Sequence, residues 1–469
     1  MRLTVLTISY FICSGLVAQK IDVKLSAAVR VLEADTQFKH AILSMYIVDS
    51  KTGSVVFDKN SQLGLAPASC QKVVTSVSAF EMLGKEYHYK TMLGYDGSIK
   101  DNTLNGNLYF IASGDPTMGS WRWKETKEES IQQKIAEILK SNHITAMNGN
   151  IIIDDSKWES QATPGGWPWE DVGNYYGAGA RGLNWHENQY DIILKPGKKT
   201  GDSVQVIETK PALKFAVLVN ELRTGPVGSG DNSIIYLPEE GTVGYLRGTI
   251  PAGRESFMIT GAMPNADNPF FNMLRDLFDS AHLKIRGRFR TGRSLAMLKE
   301  AMPIMKTALS NISSPSLDSI NYWFLKRSVN LYGEALVKTI AFEKTKFGST
   351  DTGLAIIKNF WKEKGIEPAA LHMTDGSGLS PSNRVTANAL VTVMQYAKQQ
   401  IWFPSFYNAL PELNAIKMKD GYISGVRAFT GYVKSKDGNE YTFSFIVNNF
   451  DGSAGTVREK MWRVLDILK

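Results

Sequence analysis

Both ends of the chain read as helices joined to β-hairpins, whereas residues 90–300 read as short strands and turns. That division constrains the fold most, because it lets the two ends build one α+β domain into which the middle is inserted. At the front, residues 21–38 contain no Gly or Pro and carry an apolar face of Val23, Leu25, Val29 and Leu32, a helical pattern. Residues 41–48 (AILSMYIV) and Val55-Val56-Phe57 flank the turn Asp49-Ser50-Lys51-Thr52-Gly53 as a hairpin. Pro67 precedes a helical stretch from Ser69 to Leu83, which Gly84 ends. At the back, residues 318–345, 349–364 and 386–399 read as helices. Val426 to Lys434 and Tyr441 to Asn448 form a second hairpin around Lys436-Asp437-Gly438-Asn439, and residues 454–469 read as a closing helix.

The middle holds runs such as Gly106-Asn107-Leu108-Tyr109-Phe110-Ile111, Gly149-Asn150-Ile151-Ile152-Ile153 and Tyr245-Leu246-Arg247-Gly248-Thr249-Ile250, with one helix from Pro269 to Ala281. These predict mainly β modules. The expected division is one discontinuous domain of 19–94 and 301–469, an inserted domain of 95–185 and 262–300, and a nested β-rich domain of 186–261. The length, 469 residues, suits about three domains. With 43% hydrophobic and 21% charged residues, disordered, collagen-like and coiled-coil chains are excluded.

The N-terminus has Arg2, an apolar run from Leu3 to Ile12 and small residues before Ala18, which predicts a secretory signal peptide over 1–18 and a periplasmic protein. Beyond it no uncharged apolar stretch reaches transmembrane length. The net charge of +7 suits an anionic surface, including peripheral membrane contact or the cell wall. No recognition motif or dense Lys/Arg block points to nucleic acid. Of two cysteines, Cys13 falls in the leader, so Cys70 has no partner for an intramolecular disulfide. The six His are scattered without a metal-binding pattern, and neither a metal nor an organic cofactor is implied.

Chemistry concentrates in Ala66-Pro67-Ala68-Ser69-Cys70-Gln71-Lys72. Ser69 and Lys72 stand three apart at a helix start, so their side chains meet on one face. Serine is a poor nucleophile until a base takes its proton, and a lysine serves when burial or a second cation lowers its pKa. Two further elements follow in order: Ser328-Val329-Asn330, and Lys419-Asp420-Gly421 leading into the C-terminal hairpin. The order S-x-x-K, S-x-N, K-x-G is the motif set of active-site serine penicillin-binding proteins and serine β-lactamases.

With these motifs the chain resembles the class C low-molecular-mass penicillin-binding proteins, the D-alanyl-D-alanine carboxypeptidase/endopeptidase family. The resemblance also covers Ser113-Gly114-Asp115-Pro116-Thr117, Gly166-Trp167-Pro168-Trp169-Glu170-Asp171, Asp375-Gly376-Ser377-Gly378-Leu379-Ser380, Arg384-Val385-Thr386 and Phe445-Ile446-Val447-Asn448-Asn449. It implies a penicillin-binding/β-lactamase-like transpeptidase domain, an antiparallel sheet flanked by helices. The mainly β domains would be inserted between S-x-x-K and S-x-N. It implies peptidoglycan stem peptides as substrates and β-lactams as covalent inhibitors. Ser69 is then the acylated nucleophile, Lys72 its general base, Ser328 the proton relay and Asn330 a partner of the substrate amide. Lys419 binds the terminal carboxylate and keeps Lys72 neutral, and the N–H groups of Ser69 and Tyr422 form the oxyanion hole, with Gly421 beside them on the strand.

One position departs from the family pattern: Asp420 stands where Thr is usual. An aspartate there repels a carboxylate if it points into the site, or it pairs with a nearby Lys or Arg. Asp154, or its neighbour Asp155, matches a position that reaches the substrate from the inserted domain, the alternative being a solvated turn acid. Ser377 reads as a supporting loop residue, and Cys70 as buried beside the nucleophile. Trp158, Trp167, Trp169, Tyr175 and Tyr176 suit either sugar stacking or packing.

Overall fold

The computed structural model describes residues 20–265 and 267–469, so the expected signal peptide lies outside the described residues. A six-stranded sheet joins the two ends of the chain. Its order is Val55–Lys59, Ile42–Asp49, Glu440–Asn448, Val426–Lys434, Ile416–Ile423 and Glu412–Leu413, with every neighbour antiparallel. Side chains alternate across it. Leu43, Met45, Ile47, Met418, Phe429, Phe443 and Phe445 enter a core with the helices Ile21–Ala34 and Ala454–Leu465. Ala428, Tyr432 and Ile446 enter the opposite core, with the helices Lys72–Leu83, Leu317–Lys326, Asn330–Thr345 and Ala387–Lys398. Burying one such large apolar side chain is worth roughly 1.5–3 kcal/mol, so each face is held by many comparable terms.

The helix Lys72–Leu83 is buried at every position from Lys72 to Phe80. It is a central rod, and Lys72 goes into the interior with it. In the N-terminal helix Leu25, Val29 and Leu32 are buried, but Val23 is 44% exposed. At 100° per residue Val23 lies about 200° from Leu25 and cannot share its face. The stretch 318–345 is two helices, Leu317–Lys326 and Asn330–Thr345, rather than one. Ser328 between them has φ +56°, a left-handed conformation that no right-handed helix continues through.

The middle of the chain forms a five-stranded sheet ordered Phe289–Thr291, Ile151–Asp154, Leu108–Ile111, Lys90–Tyr95 and Thr307–Ser313. Its last two strands, Lys90–Tyr95 and the edge strand Thr307–Ser313, fall mostly within the segments 19–94 and 301–469 that the sequence division kept outside the inserted domains. A four-stranded sheet, Lys284–Arg286, Ala146–Asn148, Thr103–Asn105 and Ser98–Lys100, lies alongside, and the helices Glu128–Ser141 and Asp267–Ser280 share the same core. Residues 189–262 add a three-stranded and a four-stranded sheet around their own core.

Two buried ionic knots fasten the middle to the helix Asn330–Thr345. Lys338, 1% exposed, donates to Gln161 O (2.6 Å) and Ala180 O (2.7 Å) and pairs with Glu159 at 3.1 Å. Glu187, fully buried, accepts from Tyr332 Oη (2.6 Å), Ser120 Oγ (2.6 Å) and Arg122 Nε (2.7 Å).

Candidate active site

Ser69 sits in a 3-10 turn, Ala68–Gln71, that runs into the helix Lys72–Leu83. Lys72 Nζ has three contacts: Ser69 Oγ at 2.8 Å, Asn330 Oδ1 at 2.6 Å and Ser377 O at 2.7 Å. Two of these are acceptor-only atoms. A neutral lysine has two N–H donors and one lone pair. Asn330 and Ser377 take the donors, so the lone pair is left for the Ser69 hydroxyl. Burial lowers the Lys72 pKa to about 7, helped by the Lys419 charge and opposed by Asp375, Glu334 and Asp420. The neutral base is therefore well populated near neutral pH.

The helix break supplies Ser328 and Asn330 to the same side. Asn330 also donates Nδ2 to Tyr176 O at 2.8 Å, which ties the motif to the inserted region. Ser328 lines the cleft with Ser69, but the three hydrogen-bond partners of Lys72 do not include it.

The third motif lies on Ile416–Ile423. Beyond Lys417 this strand has a neighbour on one side only, so it presents a free edge. By register Lys419 lies on the face towards the nucleophile helix, whereas Asp420 shares the other face with Tyr422, Arg427 and Phe429. Lys419 nevertheless reaches its neighbour: Nζ donates to Asp420 O (2.7 Å) and to Asp420 Oδ1 (2.9 Å). Of the two expectations for Asp420, pairing with a lysine is what the geometry gives, and the lysine is the motif's own. Burial works against the Asp420 carboxylate, but the Lys419 charge and hydrogen bond, with Arg427, hold its carboxyl below the usual range. Because the Asp420 carbonyl points out at the free edge, the Tyr422 amide two residues on points there too. Gly421 lets this edge close on the nucleophile turn: a Cβ there would stand 2.6 Å from Pro67 O and 3.0 Å from Ser69 N. The amides of Ser69 and Tyr422 thus belong to two backbones in direct contact.

The loop 375–380 locks the base from behind. Asp375 is fully buried and accepts from Gly378 N (2.7 Å), Ser380 N (2.7 Å), Trp167 Nε1 (2.8 Å), Gln71 Nε2 (3.0 Å) and Asn383 Nδ2 (3.0 Å). Gly378 has φ +83°, and a Cβ there would strike Ala68 O at 2.0 Å. Ser377 supports the site through its carbonyl. Cys70 is buried, donates Sγ to Lys419 O at 3.3 Å, and has its thiol pKa pushed up by burial, so thiol chemistry has no place here.

A cleft of about 1040 Å3 opens over Ser69, Ser328, Asn330 and Tyr422. Asp154 is not among its lining residues; its Oδ1 accepts from Ser156 N and Oγ in a local turn. Asp155 is not there either, and the inserted region instead brings Glu170, Asp171, Tyr175 and Tyr176. Burial raises the Asp171 carboxyl, and Tyr176 Oη donates to it at 3.1 Å. Arg122 and Trp121 line the cleft as well, with Arg122 held by both oxygens of Glu187. The Gly-Trp-Pro-Trp-Glu-Asp stretch was the available signal for Asp171; nothing in the sequence pairs Arg122 with Glu187. Among the aromatics, Trp158 stacks on Phe342 at 4.9 Å and Trp167 serves Asp375, both in packing roles, whereas Trp169 and Tyr175 are exposed.

The sequence profile of the D-Ala-D-Ala carboxypeptidase 3 (S13) family matches residues 25–412, ending seven positions before Lys419. The D-alanyl-D-alanine carboxypeptidase of Actinomadura sp. (strain R39) is 26% identical over 450 residues, covering 90% of this chain and 80% of that protein. The D-alanyl-D-alanine carboxypeptidase DacB of Haemophilus influenzae is 23% identical over 434 residues, covering 87% and 85%. The crystal structure of penicillin binding protein 4 (dacB) from Haemophilus influenzae superposes with a TM-score of 0.79 at 18% identity, covering 95% of this chain and 99% of that one. That likeness establishes the α+β penicillin-binding fold with its inserted sheets.

Proposed function

The chain belongs to the D-Ala-D-Ala carboxypeptidase 3 (S13) family, and from that premise we propose that it cleaves peptidoglycan stem peptides through an acyl-enzyme on Ser69. The contact that carries this reading is Lys72 Nζ at 2.8 Å from Ser69 Oγ, from a lysine whose pKa is about 7. Neutral Lys72 takes the Ser69 proton as Oγ attacks the carbonyl of the penultimate D-alanine. The amides of Ser69 and Tyr422 receive the developing oxyanion. The leaving amine takes its proton from Lys72 by way of Ser328, and the second hydrogen of Asn330 Nδ2 is left for the substrate amide. Water, activated by the same lysine, then hydrolyses the ester.

The acids Glu170 and Asp171 give the inserted wall an affinity for an ammonium group on the stem peptide. β-Lactams are expected to acylate the same serine. The name of the Haemophilus relative and the predicted leader support a periplasmic, cell-wall location, and among the described residues no helix is long and apolar enough to cross a membrane. Expected mass spectrometry after incubation with benzylpenicillin, or with a neutral N-acyl-D-alanine p-nitrophenyl ester, is a single adduct on the Ser69 peptide that Ser69→Ala abolishes. Absence of an adduct from both reagents on folded protein would favour a second reading, a wall-peptide-binding homologue, motivated by the Lys419–Asp420 contact.

A further inference from the structure

The Lys419 side chain is 1% exposed, and both hydrogen bonds of its Nζ run to Asp420, whose side chain remains 35% exposed. An ammonium beside a hydroxyl offers two donors and so matches the two acceptor oxygens of a carboxylate. An ammonium beside a carboxylate offers one donor and one acceptor. The chemical complement of that pair is a primary carboxamide, whose oxygen accepts and whose NH2 donates.

A free carboxylate meets a different situation. To reach Lys419 it must displace Asp420, and two carboxylates then share one ammonium. Of the other cations near the site, Arg122 is committed to both oxygens of Glu187, and Arg327 lines the cleft from the exposed end of the helix Leu317–Lys326, on a different element from the strand that carries Lys419. Arg427 shares the Asp420 face of the sheet, so it holds Asp420 in its charged state rather than facing the nucleophile.

Resting on the reading of Ser69 as the acylated nucleophile, we infer that the site takes peptides whose leaving residue carries a carboxamide in place of a free α-carboxylate, with Asp420 as the specificity-determining residue. The carboxamide oxygen accepts from Lys419 and its NH2 donates to Asp420. The reaction is otherwise the one already described. Ser69 Oγ bonds to the penultimate carbonyl carbon, and the C–N bond breaks. The amino-acid amide leaves with a proton, and water releases the free acid of the shortened peptide.

The test compares diacetyl-L-Lys-D-Ala-D-Ala with its C-terminal carboxamide, following product by mass spectrometry for the wild type, Asp420→Thr and Asp420→Asn. Expected is a kcat/KM for the carboxamide at least ~10-fold above that for the acid in the wild type. Asp420→Thr reverses the preference and Asp420→Asn narrows it. A wild type that prefers the acid overturns the inference, as does a folded Asp420→Thr variant with an unchanged ratio. Should that variant fail to fold, the wild-type ratio decides alone. Labelling of Ser69 by the neutral p-nitrophenyl ester separates the two readings. With labelling and an acid preference only the inference falls; without labelling both fall.

Discussion

Lys72 and Asn330, 258 positions apart in sequence, are joined by a 2.6 Å hydrogen bond from Nζ to Oδ1. The bond ties the base of the first motif to the second and dictates where the lysine lone pair points. Replacing Asn330 by Asp puts a negative charge on that acceptor. An adjacent opposite charge raises a lysine pKa by about 1–3 units. The apparent pKa on the acidic limb of kcat/KM for ester hydrolysis should rise accordingly, with activity at pH 6 at least ~10-fold lower. An unshifted limb would show that Asn330 does not face the base.

In the wild type the same limb should lie near pH 7, the value to which burial and Lys419 bring Lys72. The sign follows from the chemistry: the competent form is the neutral amine, so acylation rises as pH passes upward through 7 and falls below it. Stopped-flow acylation across pH 5–9 reads this directly, and a limb near the ordinary lysine value would remove Lys72 as base.

Benzylpenicillin carries a carboxylate, so Asp420 should slow its acylation of Ser69. Asp420→Thr is expected to raise the second-order acylation rate constant by about tenfold or more, since a like-charge contact is replaced by a donor. An unchanged or slower rate would mean that Asp420 is no obstacle to the drug.

Gly421→Ala places a methyl 2.6 Å from Pro67 O. The backbone cannot yield there without parting Tyr422 from Ser69, so the oxyanion site is lost first. A fall in kcat of about 100-fold or more is expected, in the range for losing one oxyanion donor, with a far smaller change in melting temperature. Equal losses of stability and activity would point to general unfolding instead.

Asp375→Ala leaves Gln71, Trp167, Asn383 and two backbone amides without their shared acceptor. Removing one partner of such a buried charged network costs about 3–5 kcal/mol. Urea denaturation should report that loss, and a shift below 1 kcal/mol would mean that water replaces the carboxylate.

The terminal hairpins and the order of the three motifs were legible, because strand alternation and a spacing of three on a helix start are local signals, whereas the pairing of Ile42–Asp49 with Glu440–Asn448 is a long-range contact that only a composition shift hinted at. The break at Ser328 was not: a lone left-handed serine carries no propensity signature, and the apolar pattern runs on either side of it. For Asp154 the sequence left a substrate contact and a solvated turn acid both open, and only tertiary placement shows that Ser156 N and Oγ occupy its carboxylate. A lysine partner for Asp420 was foreseen, but that it is Lys419 was hidden for a geometric reason. Neighbours on a strand point to opposite faces, and the two meet only because the strand has a free edge. Asp375 and Glu187 owe their roles to long-range burial, which no window of sequence contains.

The strand Glu440–Asn448 lies between Ile42–Asp49, from the front of the chain, and Val426–Lys434. A polypeptide made or threaded N-terminus first therefore holds Ser69 and Lys72 long before it owns the strand that completes their surroundings. The front hairpin must wait some four hundred residues for its partner, a closure that is slow by its sequence separation. Hydrolytic power is thus withheld by topology alone until synthesis or translocation is nearly finished, and a chain cut short before residue 440 carries its nucleophile without a sheet to set it against.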